Sequence, residues 1–384
     1  MYVTHNLNLE VRKMPMSSTM RLRAIARKSL VVFTTLALLA GCASQPPRVA
    51  PKQAVFTILH QSNRQGTLEP CGCEVNPFGG IDREKNAVEQ FKNEGNALFY
   101  VDAGNTFFAT ERKGSASHYV AKAKNLVGML NVAGLDVLSP GPIDYETGID
   151  SLRDISKKAQ FPFVSTNVVD ASGKTIFAPY ALIEKKGLII AFVSATPPSS
   201  GTSGYTVQAI ETSLPKTIKE VRTKSDVVVL LSQMGINQNE TLAKTLDVDI
   251  IVGADPSRSS DTAFSLEHGK TLLVDTASYG YRLGKLDVDL RLPFVGFSSP
   301  KAIEQNLAII KGAETIAKAK PRDKTRQAYV ASLKAQSQMA LIPGGSNYQH
   351  ALIALDKKRF GTPNEVTQLL DQDKKEARLR SLSE

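Results

Sequence analysis

The run Val227-Val228-Val229-Leu230-Leu231 has no polar residue at either parity. Successive side chains of a strand point to opposite faces, so this run buries both faces of its sheet. A chain that contains it must cover that sheet twice. Apolar or alternating segments at residues 54–60, 97–102, 137–138, 163–165, 250–252, 271–275 and 283–290 predict further strands. Amphipathic periods predict helices over 83–94, 117–130, 151–158 and 214–224. Residues 180–185 and 188–195 read as a hairpin across Lys186-Gly187. Hairpins mixed with crossovers predict an α/β fold in which two sheets pack together and helices lie outside. Beyond Pro300 the pattern becomes helical, at 303–318, 325–339 and 363–380.

The first 41 residues form an address. Arg21, Arg23, Arg27 and Lys28 precede an apolar run at 30–40, which is short for a mature spanning helix. The run ends in Leu39-Ala40-Gly41-Cys42. Small residues before a cysteine at this place resemble the cleavage box of bacterial lipoproteins. That resemblance implies a signal peptide over 1–41, cleavage before Cys42, and lipid on its thiol and new amino group. The alternative is an uncleaved anchor or ordinary signal peptide, with Cys42 a free thiol. Residue 43 is Ala, not Asp. By analogy with lipoprotein sorting, this implies an outer-membrane anchor facing the periplasm. Residues 42–54 are polar and proline-bearing, as a tether would be.

The whole sequence has a formal net charge of +10. Six of its 47 bases and one of its 37 acids lie in the first 41 residues, leaving 41 against 36, a net of +5. That modest excess demands no nucleic-acid partner. No basic-aromatic alternation, zinc-finger spacing or helix-turn-helix pattern suggests one.

Six segments between residues 55 and 292, in order, resemble the catalytic domain of the 5′-nucleotidase branch of the calcineurin-like metallophosphoesterases. They are 56–66, 101–107, 138–148, 230–235, 249–257 and the closing Ala277-Ser278-Tyr279-Gly280-Tyr281-Arg282-Leu283-Gly284-Lys285-Leu286. The resemblance implies a four-layer α/β/β/α sandwich over 55–292, followed by a helical C-terminal extension over 293–384. Residues 351–356 and the helix at 363–380 look like the segment that wraps back over related domains.

The chemistry of that family uses two divalent cations that clamp a phosphate and deliver a deprotonated water. Its ligands are Asp, His and Asn, which supply anionic oxygen and neutral imidazole. Here the opening Asp-x-His position reads Asn63-Arg64-Gln65, and the bridging Asp position reads Asn105. The Asn-His pair falls on Pro140-Gly141, and the next His position is Gln233. The closing His-x-His reads Asp255-Pro256-Ser257. Amides accept weakly and cannot neutralise two adjacent dications, and Arg64 is expected to add charge of the same sign. The resemblance therefore implies the scaffold without its dinuclear site, with no catalytic residue and no metal assigned. Asn63, Gln65, Asn105, Gln233 and Asp255 are expected to converge in a polar cleft able to take a small anionic ligand. The alternative is an active phosphoesterase with a metal site rebuilt from Glu69, Asp144 and Asp255 with His60 or His118.

Leu68-Glu69-Pro70-Cys71-Gly72-Cys73 does not belong to the nucleotidase pattern. It resembles a set of bacterial lipoproteins of this fold that carry a Glu-Pro-Cys-Gly-Cys segment. The spacing of Cys71 and Cys73 leaves several roles open. They can form a strained, easily reduced bridge, or chelate a single soft ion such as Cu(I) or Zn(II). They can also form a bridge that only shapes the loop, or remain incidental thiols. The spacing is not that of covalently attached haem.

Overall fold

The valine run lies at the centre of a sheet buried on both sides. The computed structural model describes residues 51–383 apart from 74, 111–114, 199–203, 256–262, 320–322 and 340–341. Cys42 and Ser257 lie outside the described residues. The chain runs through β1 (Gln53–Gln61), α1 (Ile81–Lys92), β2 (Ala97–Asp102), α2 (Ala116–Ala133), β3 (Val137–Leu138), α3 (Pro142–Tyr145), α4 (Ile149–Ser156) and β4 (Val168–Asp170). It continues through β5 (Tyr180–Lys185), β6 (Leu188–Ala195), β7 (Tyr205–Val207), α5 (Ile210–Arg222), β8 (Val227–Ser232), α6 (Ile236–Thr245), β9 (Ile250–Gly253), β10 (Phe264–Leu266) and β11 (Thr271–Val274). Then come β12 (Arg282–Arg291), β13 (Phe297–Ser298), α7 (Pro300–Ala319), α8 (Lys324–Met339), β14 (Ser346–Ala354), α9 (Lys357–Phe360) and α10 (Glu365–Ser383).

Among the described residues the strands form two six-stranded sheets and a small pair, β4 with β7. The first sheet has the order β13-β14-β12-β1-β2-β3, the second β10-β11-β9-β8-β6-β5. Side-chain parity explains the layers. Val227, Val229 and Leu231 point inward, against Phe56, Ile58 and Phe99 of the facing sheet. Val228 and Leu230 point outward, beneath Leu214, Ile218 and Val221 of α5. On the far side, Leu59 and Tyr100 pack under Val88 of α1 and Leu126 and Leu130 of α2. This is the α/β/β/α sandwich that the apolar runs and the resemblance led us to expect.

The β5–β6 hairpin turns at Lys186 and Gly187, with φ of 53° and 79°. Positive φ at both central residues is what a two-residue primed turn needs. Two expectations change. Residues 163–165 do not form a strand but make single bridges, Phe163 to Leu138 and Val164 to Ala178. Pro162, just before them, has no N–H to extend a ladder. The stretch after 293 is not helical throughout. β14 pairs antiparallel with β12 from Asn347 opposite Asp289 to Ala354 opposite Arg282, so it is an integral strand of the first sheet. From there α10 returns across α1 and α2. Asn125 Nδ2 donates to Asp373 at 2.7 Å, and Asn364 Nδ2 donates to the Asp82 carbonyl at 2.7 Å.

Candidate functional site

The loops that follow β1, β2, β3, β8 and β9 meet at one end of the two sheets. Asn63, Gln65 and Asn105 have φ of 51°, 54° and 54°. Asn visits this left-handed region readily, whereas Gln needs support. The support is a ladder of backbone bonds. Asn63 N–H donates to Gly104 at 2.7 Å, Gln65 N–H to Asn105 at 2.9 Å, and Gly66 N–H to Thr106 at 2.8 Å. Tyr279 N–H closes over the loop onto the Asn63 carbonyl at 2.8 Å.

The side chains then satisfy one another. Asn105 Nδ2 donates to Asn63 Oδ1 at 2.9 Å, and Asn63 Nδ2 donates to the Ala254 carbonyl at 2.9 Å. Asn105 Oδ1 accepts from Ile143 N–H at 3.1 Å. A Cβ at Gly141 would lie 2.3 Å from that same oxygen, so the Asn105 amide occupies the space a side chain at 141 would need. Pro140 is buried and leads into this turn. Gln233, at the end of β8, donates to the Ala103 carbonyl and accepts from Thr196 Oγ1 at 3.3 Å. Asn63 and Gln233 thus tie the two sheets together at their loop ends. Gln65, Gln233 and Asp255 remain half-buried, while Asn63 is fully buried. Of the five polar residues, Asn63 and Asn105 meet and are spent on each other, while Gln65, Gln233 and Asp255 stand on neighbouring loops at the same end.

A pair of divalent cations does not fit this donor set. Asn63 Oδ1 is covered by an N–H, Gly141 has no side chain, and Gln233 turns an N–H toward the Ala103 carbonyl. Among the described residues, no group of three or more His, Cys, Asp or Glu side chains gathers as a metal site. Three members of the alternative set, Asp144, Glu69 and His60, are engaged elsewhere. Asp144 accepts from the N–H groups of Thr106, Phe107 and Gly141 at 3.0, 2.8 and 2.9 Å. Glu69 pairs with Lys374. His60 lies inside the first sheet, its Nε2 3.0 Å from His350 Nε2 of β14. His118 lies with Gln65, Thr67, Lys122 and Lys374 on a cavity of about 400 Å3 beside the first loop.

Arg64 does not add its charge to the cleft, contrary to the sequence-based expectation. It is 1% exposed, and its Nη2 bonds both carboxylate oxygens of Glu84, at 2.6 and 2.5 Å. Tyr100 Oη and Gln61 Nε2 also donate to Glu84. The loop backbone turns this side chain under α1, where a buried acid neutralises it. Glu84 and His350 are the residues sequence reading missed. The signal for Glu84 was an acid on the apolar face of α1, one turn from Ile81 and Val88.

Burial also sets the ionisation of the site. Asp102, fully buried, is pushed up to about 7 by desolvation, against the lowering effects of the Arg64 charge and of bonds from Gly104 N–H and Thr106 Oγ1. Asp144 is pushed up to about 6 by the same cause. Burial, and then the His350 ring, hold His60 well below its ordinary value. The two kinds of group act in opposite senses. The stability contributed by Asp102 is complete below the unfolded value near 3.8 and is lost as pH rises toward 7. That from His60 is complete above 6.5 and is lost as pH falls toward its folded value. Asp102→Asn is therefore expected to steepen the loss of stability on acidification from pH 6.5 to 4. Urea midpoints across that range check it, and parallel profiles for variant and wild type would refute it.

The cysteine loop stands beside this end of the molecule. Cys71 and Cys73 have sulfurs 2.9 Å apart, with Cys71 half-buried and Cys73 exposed. Phe78 N–H donates to Cys71 Sγ at 3.3 Å. The Cys71 thiol is pulled down, first by its side-chain contact with Cys73, while that of Cys73 is pushed up by the same contact.

No protein-family model matches the chain. An uncharacterised metallophosphoesterase of Bacillus subtilis, YunD, is 29% identical over 190 residues, covering 47% of this chain and 40% of that protein. The 5′-nucleotidase of Vibrio cholerae is 26% identical over 230 residues, covering 55% of this chain and 40% of its own. The chain thus matches about two fifths of the length of these curated relatives. Among solved structures, the calcineurin-like phosphoesterase YfkN of Bacillus subtilis superposes with a TM-score of 0.58 at 16% identity, covering 85% of this chain and 98% of that one. With two β sheets enclosed by helices and loops meeting at their ends, this chain is a homologue of the 5′-nucleotidases and calcineurin-like metallophosphoesterases and has their fold.

Proposed function

We propose that this chain is a non-hydrolytic relative of the metallophosphoesterases, anchored by lipid at Cys42 to the outer membrane and facing the periplasm. It binds or docks rather than cleaves. The observation that supports this reading is the Asn63–Asn105 amide pair, with the Asn105 oxygen filling the space above Gly141. Dinuclear hydrolysis needs anionic oxygens and imidazoles open to metal, and these amides are closed on each other and on backbone. The adjoining cavity of about 400 Å3 is lined by Gln65, His118, Lys122 and Lys374 and also by Glu69 and Asp373, so a small anionic ligand there would meet two lysines beside two carboxylates.

The test is turnover. The chain from residue 43 onward, supplied with Mn2+ or Zn2+, is expected to hydrolyse nucleoside monophosphates and p-nitrophenyl phosphate no faster than a protein-free blank. Metal-dependent turnover that persists through repurification would instead establish an active phosphoesterase with a rebuilt site.

Anchoring has its own test. Cys42→Ser is expected to abolish incorporation of labelled palmitate and shift the protein from the membrane to the soluble fraction. Unchanged labelling and fractionation would rule the lipid anchor out.

A further inference from the structure

The Cys71–Cys73 loop carries chemistry that the amide-filled cleft does not use. The sequence contains three cysteines, and the third is Cys42, at the lipoprotein-like box. Among the described residues, Cys71 and Cys73 have no cysteine partner but each other. Their sulfurs are in contact at 2.9 Å. The loop that carries them is pinned at its base rather than loose. Pro70 bridges Gly79, Cys71 N–H donates to the Phe78 carbonyl at 2.8 Å, and Gly79 N–H donates to Leu355 at 3.0 Å. Arg83, in the first turn of α1, fixes the other side, donating from Nη1 to the carbonyls of Pro77 at 2.5 Å and Leu355 at 3.2 Å.

The tip of the loop is open. A Cβ at Gly72 would meet no atom within 4 Å, Cys73 is exposed, and Val75 is 95% exposed. Tyr281 lies against Gly79, and its phenol is pushed up by burial and then by the two thiols and Tyr279 around it. The ring of Tyr279, 5.7 Å from that of Tyr281, is 43% exposed. An accessible dithiol thus sits beside apolar surface on a fixed loop.

We propose that Cys71 and Cys73 form a thiol–disulfide exchange site whose substrate is an accessible disulfide of a peptide or small thiol compound. Cys71 is the attacking residue. Phe78 N–H and the Arg83 charge favour its thiolate, and both lie on the pinned side of the loop. The Cys71 thiol gives up its proton, and the thiolate attacks one sulfur of the substrate disulfide. That bond breaks, a mixed disulfide forms, and the second substrate sulfur leaves as a thiolate that takes up a proton. Cys73 then loses its proton and attacks the Cys71 sulfur. The Cys71–Cys73 bond forms, and the first substrate sulfur leaves and is protonated. Two electrons pass from the cysteine pair to the substrate. The small ring of a Cys-Gly-Cys bridge is strained, which keeps the reverse reaction accessible.

The experiment uses the mature chain, wild type and with Cys71→Ser or Cys73→Ser, after full reduction. Each is exposed anaerobically to glutathione disulfide or to a cyclic disulfide peptide, quenched in acid, and read by mass. Wild type is expected to lose two protons' mass without retaining an adduct, and to return to the dithiol in millimolar reduced glutathione. Cys73→Ser is expected to trap one mixed disulfide per chain. Cys71→Ser is expected to react about tenfold more slowly. The glutathione and peptide arms tell which class of disulfide is preferred. Circular dichroism confirms that the variants, altered only on the open loop, remain folded. The proposal is overturned if neither disulfide oxidises the pair, if both variants react at equal rates, or if the bridge resists reduced glutathione. A reduced protein that instead carries one Cu(I) per chain and does not exchange would also overturn it, in favour of a soft-metal site.

Discussion

Glu84→Ala is expected to destabilise the protein by about 3–5 kcal/mol, because it leaves the Arg64 guanidinium buried without a counter-charge. Arg64 is 1% exposed and Glu84 fully buried, so water cannot replace the lost partner. Tyr100 Oη and Gln61 Nε2 would also lose their shared acceptor. Glu84→Gln should restore little, since an amide keeps the shape but not the charge. Replacing both members by apolar residues of similar size, Arg64→Met with Glu84→Leu, should cost clearly less than Glu84→Ala alone. Urea denaturation of the singles and the double measures this. A double variant no more stable than Glu84→Ala would show that the pair's hydrogen bonds matter in their own right. A Glu84→Ala loss below about 1 kcal/mol, the range of exposed pairs, would refute the buried geometry.

Gly141→Ala is the second large effect, and it probes the amide network. The added carbon would stand 2.3 Å from Asn105 Oδ1, 2.5 Å from its backbone nitrogen and 2.7 Å from Cγ. The side chain could rotate away, but the backbone nitrogen is held by a loop laddered to residues 63–66. Overpacking of this kind costs about 1–3 kcal/mol, and losing the Asn63–Asn105 bond adds to it. Gly128→Ala is the control. It lies in the interior of α2 with nothing within 4 Å of its Cβ position, so it should be neutral or stabilising by up to about 1 kcal/mol. Thermal midpoints of the two variants, measured side by side, check the contrast. Equal midpoints would mean that Asn105 does not fill that space. A stable Gly141→Ala would also weaken the non-hydrolytic reading, because it would leave room for a ligand side chain at 141.

Much of the fold could be read along the chain, since it depends on parity and period. The unbroken apolar run at 227–231 required two covering layers, and the structure supplies them as a facing sheet and α5. The Lys186-Gly187 turn, the helices and the order of the ligand loops are likewise local or sequential features. At the site, the residue types at 63, 65, 105, 140, 141, 233 and 255 could be read too.

Tertiary structure alone decided where those side chains point and what each one meets. Arg64 is adjacent to the cleft in sequence, but its loop turns it under α1 to an acid 20 residues away. His60 reads as the end of a strand, yet its ring packs against His350, 290 positions later, across the glycine at 284. Residues 346–354 follow two helices and join the first sheet only because β12 presents a free edge. Periodicity reports which face of an element is buried. It carries no information on which distant residue lies against that face, because that choice is made by packing after the chain has closed on itself.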